Sequence, residues 1–208
     1  ARLFLVDGNS LLYRSYYAVR GLTNSGGFPT GAIYGFLASL RKLLDQEKPD
    51  YLGVVFDVKG PTVRHEAYGE YKAQRKPMPD ELAEQVPKLK EVLGALRIAT
   101  AEFDRYEADD VLATLAVRAA ARDIRTVVVT TDKDLLQIID RTTSVWNPSK
   151  EMTVDESNVA EVFGAGAAGV VDVLALWGDA SDNVPGVPGI GEKTAKSLIR
   201  EFGSLDNM

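Results

Sequence analysis

The sequence predicts an α/β fold with a doubly wound, mostly parallel sheet. Three short runs of mainly apolar or β-branched residues each end in an aspartate: residues 3–6 before Asp7, 51–56 before Asp57 and 126–131 before Asp132. Runs without polar alternation are typical of parallel strands that helices cover on both faces. Helical patterns lie between these runs, so strand and helix alternate as in a sheet with right-handed crossovers.

Two segments place apolar residues at helical spacing. Residues 30–46 do so with Ile33, Phe36, Leu37, Leu40, Leu43 and Leu44, and residues 107–122 with Ala108, Val111, Leu112, Leu115 and Ala116. No convincing strand follows Val145 and Trp146. We therefore predict an α/β core at 1–156, with a basic segment at 59–80, and a helical module at 157–208, with a glycine hairpin at 186–200.

Composition excludes several classes of protein. The chain has 208 residues, 45% hydrophobic and 26% charged, which suffices for a core in one or two domains. No apolar run approaches the roughly 18 residues that a membrane helix needs, and the first run ends at Asp7, too soon for a signal peptide. We expect a cytosolic protein without a membrane partner.

The rare residue types narrow the chemistry further. The chain has no cysteine, which excludes disulfides, thiolate zinc sites and cysteine nucleophiles. Its single histidine, His65, leaves no multi-histidine metal site and is expected to be a polar loop residue. Carboxylates, in contrast, are plentiful.

The aspartates at strand ends predict a common site. The carboxyl ends of parallel strands meet at one edge of a sheet, so Asp7, Asp57 and Asp132 should project into the same crevice. Further acids occur at short spacings: Glu107, Asp109 and Asp110 lie together, Asp134 lies two positions after Asp132, and Asp179 lies three positions before Asp182. If all converge, up to nine carboxylates share one pocket. The alternative is that single aspartates are helix caps or surface residues, but capping does not explain why three of them close buried strands.

Such a cluster requires counter-ions, because carboxylates about 4 Å apart repel by several kcal/mol at an effective dielectric near 20. Mg²⁺ and Mn²⁺ accept oxygen ligands alone and leave positions for water and phosphate. Two such ions can activate water and steady the leaving oxygen in phosphodiester hydrolysis. Removing nine candidate ligands from the net charge of −6 leaves +3, so an acidic chain is compatible with a DNA partner.

Two segments suggest contact with nucleic acid. Residues 59–76 hold five Lys or Arg against two Glu, with Tyr68 and Tyr71 interleaved, as in segments that guide single strands; a solvated loop is the alternative. The glycine hairpin resembles a helix-hairpin-helix turn, which binds duplex backbone. A phosphate-binding P-loop is excluded because Glu192 separates Gly191 from Lys193, and the glycines at 164–169 lack the preceding strand of a dinucleotide site.

Six ordered motifs together resemble the 5′-nuclease (flap endonuclease) family, as found in the 5′-3′ exonuclease domain of bacterial DNA polymerase I. They are Val6-Asp7-Gly8-Asn9; Val54-Val55-Phe56-Asp57; Arg64-His65-Glu66 with Tyr71-Lys72-Ala73-x-Arg75; Tyr106-Glu107-Ala108-Asp109-Asp110; Thr131-Asp132-Lys133-Asp134-Leu135; and Gly178-Asp179-x-x-Asp182-Asn183 with Pro188-Gly189-Ile190-Gly191-x-Lys193-Thr194-Ala195. The resemblance covers practically the whole chain and implies a PIN-like sheet, a helical arch at 59–80 and a helix-hairpin-helix module.

The resemblance also implies an activity and its residues. It implies hydrolysis of DNA at 5′ flaps, nicks and ends in replication and repair, with 5′-phosphate products and two or more Mg²⁺ or Mn²⁺ ions. The nine acids become metal-site residues, some acting through water. Lys72 and Arg75 would stabilise charge on the scissile phosphate. The DNA contacts would come from Arg64, Tyr71, Lys76, Gly189, Gly191, Lys193, Thr194 and Lys196, with Tyr71 stacking on a nucleotide.

Partners follow in the same way. The family implies flap, nicked or branched duplex as substrate, K⁺ at the glycine hairpin, a polymerase domain in cis, and a monomer in the bacterial cytoplasm near the nucleoid. Two other hypotheses compete. One is a DNA-junction binding module that has lost catalysis through C-terminal truncation, and the other is a phosphatase with Asp132 and Asp134 as aspartyl nucleophile and acid.

Overall fold

The computed structural model describes all 208 residues and confirms the predicted fold class. Six strands form one sheet in the order β3-β2-β1-β4-β5-β6. All neighbouring pairs are parallel except β5 and β6. The strands are β1 (Arg2–Asp7), β2 (Tyr51–Val55), β3 (Ala99–Ala101), β4 (Arg125–Val129), β5 (Thr143–Asn147) and β6 (Met152–Val154); a two-stranded hairpin, β7 (Gly178–Asp179) and β8 (Val184–Pro185), lies outside this sheet.

Eight α-helices complete the fold. They are α1 (Gly8–Ala18), α2 (Gly31–Glu47), α3 (Val63–Ala67), α4 (Asp80–Ala95), α5 (Ala108–Ala120), α6 (Val159–Phe163), α7 (Val170–Trp177) and α8 (Glu192–Phe202). The predicted helices at 30–46 and 107–122 correspond to α2 and α5. The patterns of α1 and α4 were not predicted, and neither were the three-residue strands β3 and β6, which are too short to show a period.

The two faces of the sheet hold separate hydrophobic clusters. Successive strand residues point to opposite faces, so Phe4 and Val6 pack with α1, α2 and α4, whereas Leu5 packs on the other side with α5. The cluster on the α5 side, which we call the second cluster, continues into the helical module through α7 and Ile199 of α8. The module is therefore packed onto one face of the sheet, and its separation from the core at residue 156 stays a prediction.

The basic segment at 59–80 contains little helix. Before α4 begins at Asp80, it holds only the five-residue α3, followed by turns up to residue 74, in place of the helical arch that the resemblance implies. Lys72 has φ of 56°, a left-handed conformation that a lysine rarely adopts. His65 is structural: its Nδ1 accepts the Thr62 backbone N–H at 3.1 Å and so caps α3.

The stretch Val159–Trp177 is long and apolar enough, by length and composition, to count as a candidate membrane span. In the fold it is not one continuous helix, because α6 ends at Gly164, which has φ of 97°, and α7 begins at Val170. Val159, Phe163 and Val173 are buried in the second cluster. These contacts are those of core helices, and the glycines at 164–169 join two helices, as expected for a segment that does not bind dinucleotides.

Gly8 should be intolerant of a side chain. A Cβ built there lies 2.6 Å from Phe56 Cε1 and 2.8 Å from the Val55 carbonyl oxygen, so Gly8→Ala should lower the free energy of unfolding by about 1–3 kcal/mol. Gly94→Ala is the matched control: no atom lies within 4 Å of its Cβ, and alanine in a helix should add up to about 1 kcal/mol. Urea unfolding measures both. Equal effects of the two substitutions would show that the close contact at Gly8 is relieved without cost.

Candidate metal and nucleic-acid site

Four carboxylates converge at the carboxyl edge of the sheet. Asp7 ends β1, and because β1 lies between β2 and β4, Asp57 and Asp132 follow the strands on either side of it. Asp109, in the first turn of α5, completes the group. All four line one open cleft of about 610 Å³. The predicted convergence of the strand-end aspartates is confirmed, and we call these four residues the inner carboxylates.

Backbone and side-chain donors orient two inner carboxylates. Asp7 accepts the Ser10 backbone N–H at 2.9 Å, which caps α1, and the Thr130 hydroxyl at 2.8 Å. Asp57 accepts the Ala108 backbone N–H at 2.7 Å and the Asn9 side-chain amide at 2.8 Å. Capping and membership of the cleft are therefore not alternatives for Asp7, since the same side chain does both.

The polar residues that hold these acids were not predicted from the sequence. Besides Asn9 and Thr130, they include Ser10, whose hydroxyl lies 2.8 Å from that of Thr131. Thr130 also accepts the Asp132 backbone N–H through its hydroxyl, at 3.1 Å. A sequence signal existed, because each of these small polar residues stands within three positions of a strand-end aspartate.

No lysine or arginine forms an ion pair with any inner carboxylate. Burial, reinforced by Asp57 and Asp132, raises the pKa of Asp7 to about 6. Burial and then the charges of Asp7, Asp132 and Asp57 raise the pKa of Asp109 to about 8. The charged forms of these two carboxylates are therefore disfavoured, because burial and mutual repulsion are not offset by an ion pair.

The other five acids do not enter this cleft, so the prediction that nine carboxylates share one pocket is wrong. Glu107, Asp134, Asp179 and Asp182 line a second cavity of about 440 Å³, which meets the first at Asp109. Asp110 points toward Arg64. We call these five residues the outer carboxylates. The second cavity is lined by residues of the basic segment, such as Tyr71, and of the hairpin β7–β8, such as Asp179.

Each outer carboxylate contacts a cationic side chain. Arg64 donates two hydrogen bonds to Asp110, at 2.6 and 2.8 Å, and thereby lowers the pKa of that carboxyl. Lys72 lies 2.8 Å from Glu107 and 3.7 Å from Asp182. The remaining pairs are Arg75 with Asp182 at 3.0 Å, and Lys133 with Asp179 at 2.5 Å and with Asp134 at 3.2 Å.

Burial by itself raises the pKa of Asp179. The hydrogen bonds from Lys133 and from the Ser181 backbone N–H lower it by more, so the net pKa of Asp179 is lowered. The pKa of Asp134 is raised, chiefly by burial and then by Asp132. Lys133 was not predicted as a site residue although it stands between two predicted acids, because a lysine beside acids is equally common on a solvated surface.

Tyr71 is buried in this structure, and its ring is not exposed for stacking. Only 7% of its surface is exposed, and its hydroxyl donates to Asp182 at 2.8 Å, with Glu107 also within reach at 3.0 Å. Burial and these carboxylates raise the pKa of its phenol. Its stacking role stays a prediction, because an aromatic residue in a basic segment gives no indication of which way its ring points. Tyr68, three residues earlier, is the exposed aromatic ring.

The glycine hairpin exposes most of its predicted contact residues. Gly189, with φ of 84°, Gly191, Lys193 and Thr194 are all exposed at the start of α8. Lys196 differs: its ammonium pairs with Glu192 at 2.6 Å and lies 4.6 Å from the centre of the Phe163 ring. Its predicted DNA contact is not free in this structure, because the side chain covers the contact between α6 and α8.

The donor set fits hard divalent ions held partly through water. No group of three or more acids is placed to hold one metal ion by direct bonds alone. Mg²⁺ commonly keeps several waters and binds directly to only one or two carboxylates. The unpaired charge of the inner carboxylates is the feature that favours a cation there.

We expect stability without metal to fall as pH rises from about 4 to 8. Asp7 and Asp109 bind protons more tightly in the folded state than in the unfolded chain, so folding becomes less favourable as these protons are lost. Asp109→Asn should therefore raise the melting temperature in EDTA at pH 8 more than at pH 5. In a chain of this size, each kcal/mol gained in the free energy of unfolding raises the melting temperature by about 2–4 °C. Asp45→Asn, at an exposed position, is the control. A lower melting temperature for Asp109→Asn at pH 8 would contradict the expectation.

Comparison with known proteins places the whole chain in one family. Residues 2–164 match the model of the 5′-3′ exonuclease N-terminal resolvase-like domain, and residues 166–208 match that of the 5′-3′ exonuclease C-terminal SAM fold. The 5′-3′ exonuclease of Aquifex aeolicus is 42% identical over 99% of this chain and 71% of its own length. DNA polymerase I of Caldicellulosiruptor bescii is 46% identical over 100% of this chain.

The chain spans about a quarter of the length of the DNA polymerase I relatives, 25% for that of C. bescii. Among solved structures, the bacteriophage T5 flap endonuclease, in a pseudo-enzyme–product complex with DNA and metal ions, has a TM-score of 0.77 at 25% identity over 100% of this chain and 77% of its own. With both domain models matched in order along the chain, the protein belongs to the 5′-3′ exonuclease family.

Proposed function

We propose that the protein is a metal-dependent 5′ nuclease that hydrolyses DNA phosphodiesters at 5′ flaps, nicks and ends and leaves 5′-phosphate products, in replication and repair. One observation carries the proposal. Four carboxylates from three strand ends and one helix start share a cleft, and no lysine or arginine forms an ion pair with any of them. The protein accepts this electrostatic cost, which a bound cation would remove.

The inner carboxylates would hold Mg²⁺ or Mn²⁺, and outer carboxylates such as Asp134 and Asp179 would contribute to a further ion. Divalent ions in such a site supply a hydroxide at neutral pH and stabilise the leaving oxygen. The T5 relative with DNA and metal ions supports this assignment. Asn9 and Thr130 hold Asp57 and Asp7 in fixed orientations toward the cleft.

The cleft is also lined by cationic residues. Arg75 and Lys76 are among its lining residues, so a phosphodiester in the cleft can contact cations as well as the acids that would hold metal. Lys72 bridges Glu107 and Asp182, two acids of the second cavity. A phosphate that draws this ammonium away would gain charge stabilisation as the phosphorane develops. Arg64 is held by Asp110 and acts on DNA only if that pair opens.

Duplex DNA would bind along the glycine hairpin. The backbone N–H groups at the start of α8 and the exposed Lys193 can contact phosphates without reading bases. K⁺ at the hairpin carbonyls is the cation that the family suggests. Binding should weaken with salt, as for any contact with phosphates. The DNA polymerase I relatives support a polymerase domain in cis as partner. The proposal further includes a monomeric nuclease that acts in the bacterial cytoplasm.

Removing one inner carboxylate should abolish hydrolysis. Asp57→Asn and Asp132→Asn keep the shape of the side chain but remove a metal-binding charge, so we expect cleavage of a labelled 5′-flap duplex in Mg²⁺ to fall by at least about 1000-fold. DNA affinity, measured in Ca²⁺ by fluorescence anisotropy, should change little. Asp45→Asn controls for loss of a carboxylate outside the site. Retained turnover in both variants would reject the nuclease; binding by the wild type without product would favour the junction-binding module.

Lys72→Ala should lower turnover far more than affinity. If its ammonium stabilises the scissile phosphate, the activation free energy should rise by about 2–4 kcal/mol, so kcat should fall by about 30- to 1000-fold. Lys88→Ala, at an exposed residue of α4 paired with Glu91, is the matched control. Single-turnover kinetics with separate binding measurements distinguish the two effects. Equal losses of binding and turnover would refute the catalytic role and leave Lys72 as an affinity contact.

A further inference from the structure

Lys133 lies between two carboxylates from different parts of the chain. Its ammonium is 3.2 Å from Asp134, at the turn that follows β4, and 2.5 Å from Asp179, at the start of the hairpin β7–β8. The same ammonium lies 5.5 Å from the centre of the Trp177 ring. Three partners thus fix the side chain at a position where the two modules meet.

The two sets of carboxylates differ in how their charge is compensated. The outer set of five contacts four cationic side chains, Arg64, Lys72, Arg75 and Lys133, and the inner set of four contacts none. A divalent ion between Asp134 and Asp179 would stand within a few ångströms of the Lys133 ammonium and be repelled by it. The ion must therefore displace Lys133 before it can bind there, whereas no lysine or arginine is paired with an inner carboxylate and has to be displaced.

We propose that Lys133 is a positioning residue that takes the place of a divalent ion between Asp134 and Asp179 in the free protein. It keeps these two carboxylates together and makes the inner cleft load first. The inference rests on the proposed function, because it concerns the same metal-binding region. Lys133 also lines the wall of the inner cleft, so its ammonium, once displaced, stays beside the path of the substrate phosphate.

Titration with Mn²⁺ in the absence of DNA tests the inference. Calorimetry and electron paramagnetic resonance would count the ions bound to the wild type, to Lys133→Met, which keeps the apolar stem and removes the charge, and to Lys133→Arg, which keeps the charge. We expect Lys133→Met to bind its weakest Mn²⁺ at least 10-fold more tightly than the wild type. Lys133→Arg should behave as the wild type. Lys42→Met is the matched control, since it removes an ion pair with Glu151 at a residue that lines neither cavity.

Unchanged or weaker Mn²⁺ binding by Lys133→Met would overturn the inference and leave Lys133 as a structural tie between the modules. Near-ultraviolet circular dichroism checks that each variant folds, and Lys133→Gln replaces Lys133→Met if the latter does not. Cleavage of a 5′-flap duplex by the wild type separates the two proposals. If the wild type cleaves but all variants bind Mn²⁺ identically, only the proposed role of Lys133 is contradicted. If Mn²⁺ binding changes as expected but the wild type does not cleave, only the proposed nuclease activity is contradicted.

Discussion

Repulsion among the carboxylates at one edge of the sheet is the constraint on which the rest of the site depends. The strand order places β1 between β2 and β4, so the acids that follow these strands cannot avoid one another. Burial and mutual repulsion raise the pKa values of Asp7 and Asp109. The fold keeps these carboxylates in place with donors such as Thr130 and Asn9, which orient them without supplying positive charge.

The outer carboxylates, unlike the inner ones, are compensated by ion pairs with cationic side chains. Ion pairs such as Lys72 with Glu107 and Arg75 with Asp182 tie the basic segment to the sheet and to the hairpin β7–β8. The Lys72 backbone N–H adds a bond of 2.9 Å to the Asp182 carbonyl. The hairpin itself requires two glycines, because a Cβ at Gly178 would lie 2.4 Å from the backbone nitrogen of Gly186. These ion pairs and the backbone bond therefore hold the basic segment against the hairpin at the second cavity.

Sequence reasoning succeeded where one local rule decides the outcome. A buried run that ends in an aspartate gives both the strand and the edge at which its acid lies, as Asp7, Asp57 and Asp132 show. It failed where packing chooses between two faces of a side chain. Tyr71 and Lys196 carry the residue types of a DNA contact, yet Tyr71 is buried against carboxylates and Lys196 lies over Phe163. Short strands such as β3 form by pairing with the edge of a neighbouring strand, here β2, and no local sequence pattern predicts them.

The sequence by itself determined the parallel sheet, the convergence of the strand-end aspartates and the excess of acid that calls for divalent ions, because these follow from periodicity, strand direction and charge. Only the tertiary structure decided that the acids divide into an unpaired inner set and a paired outer set. That division depends on which cations reach which carboxylates across more than 30 positions of sequence, as Lys72 reaches Glu107 and Lys133 reaches Asp179. Distances of this kind are fixed by the packing of the hairpin and the basic segment against the sheet, which no local pattern encodes.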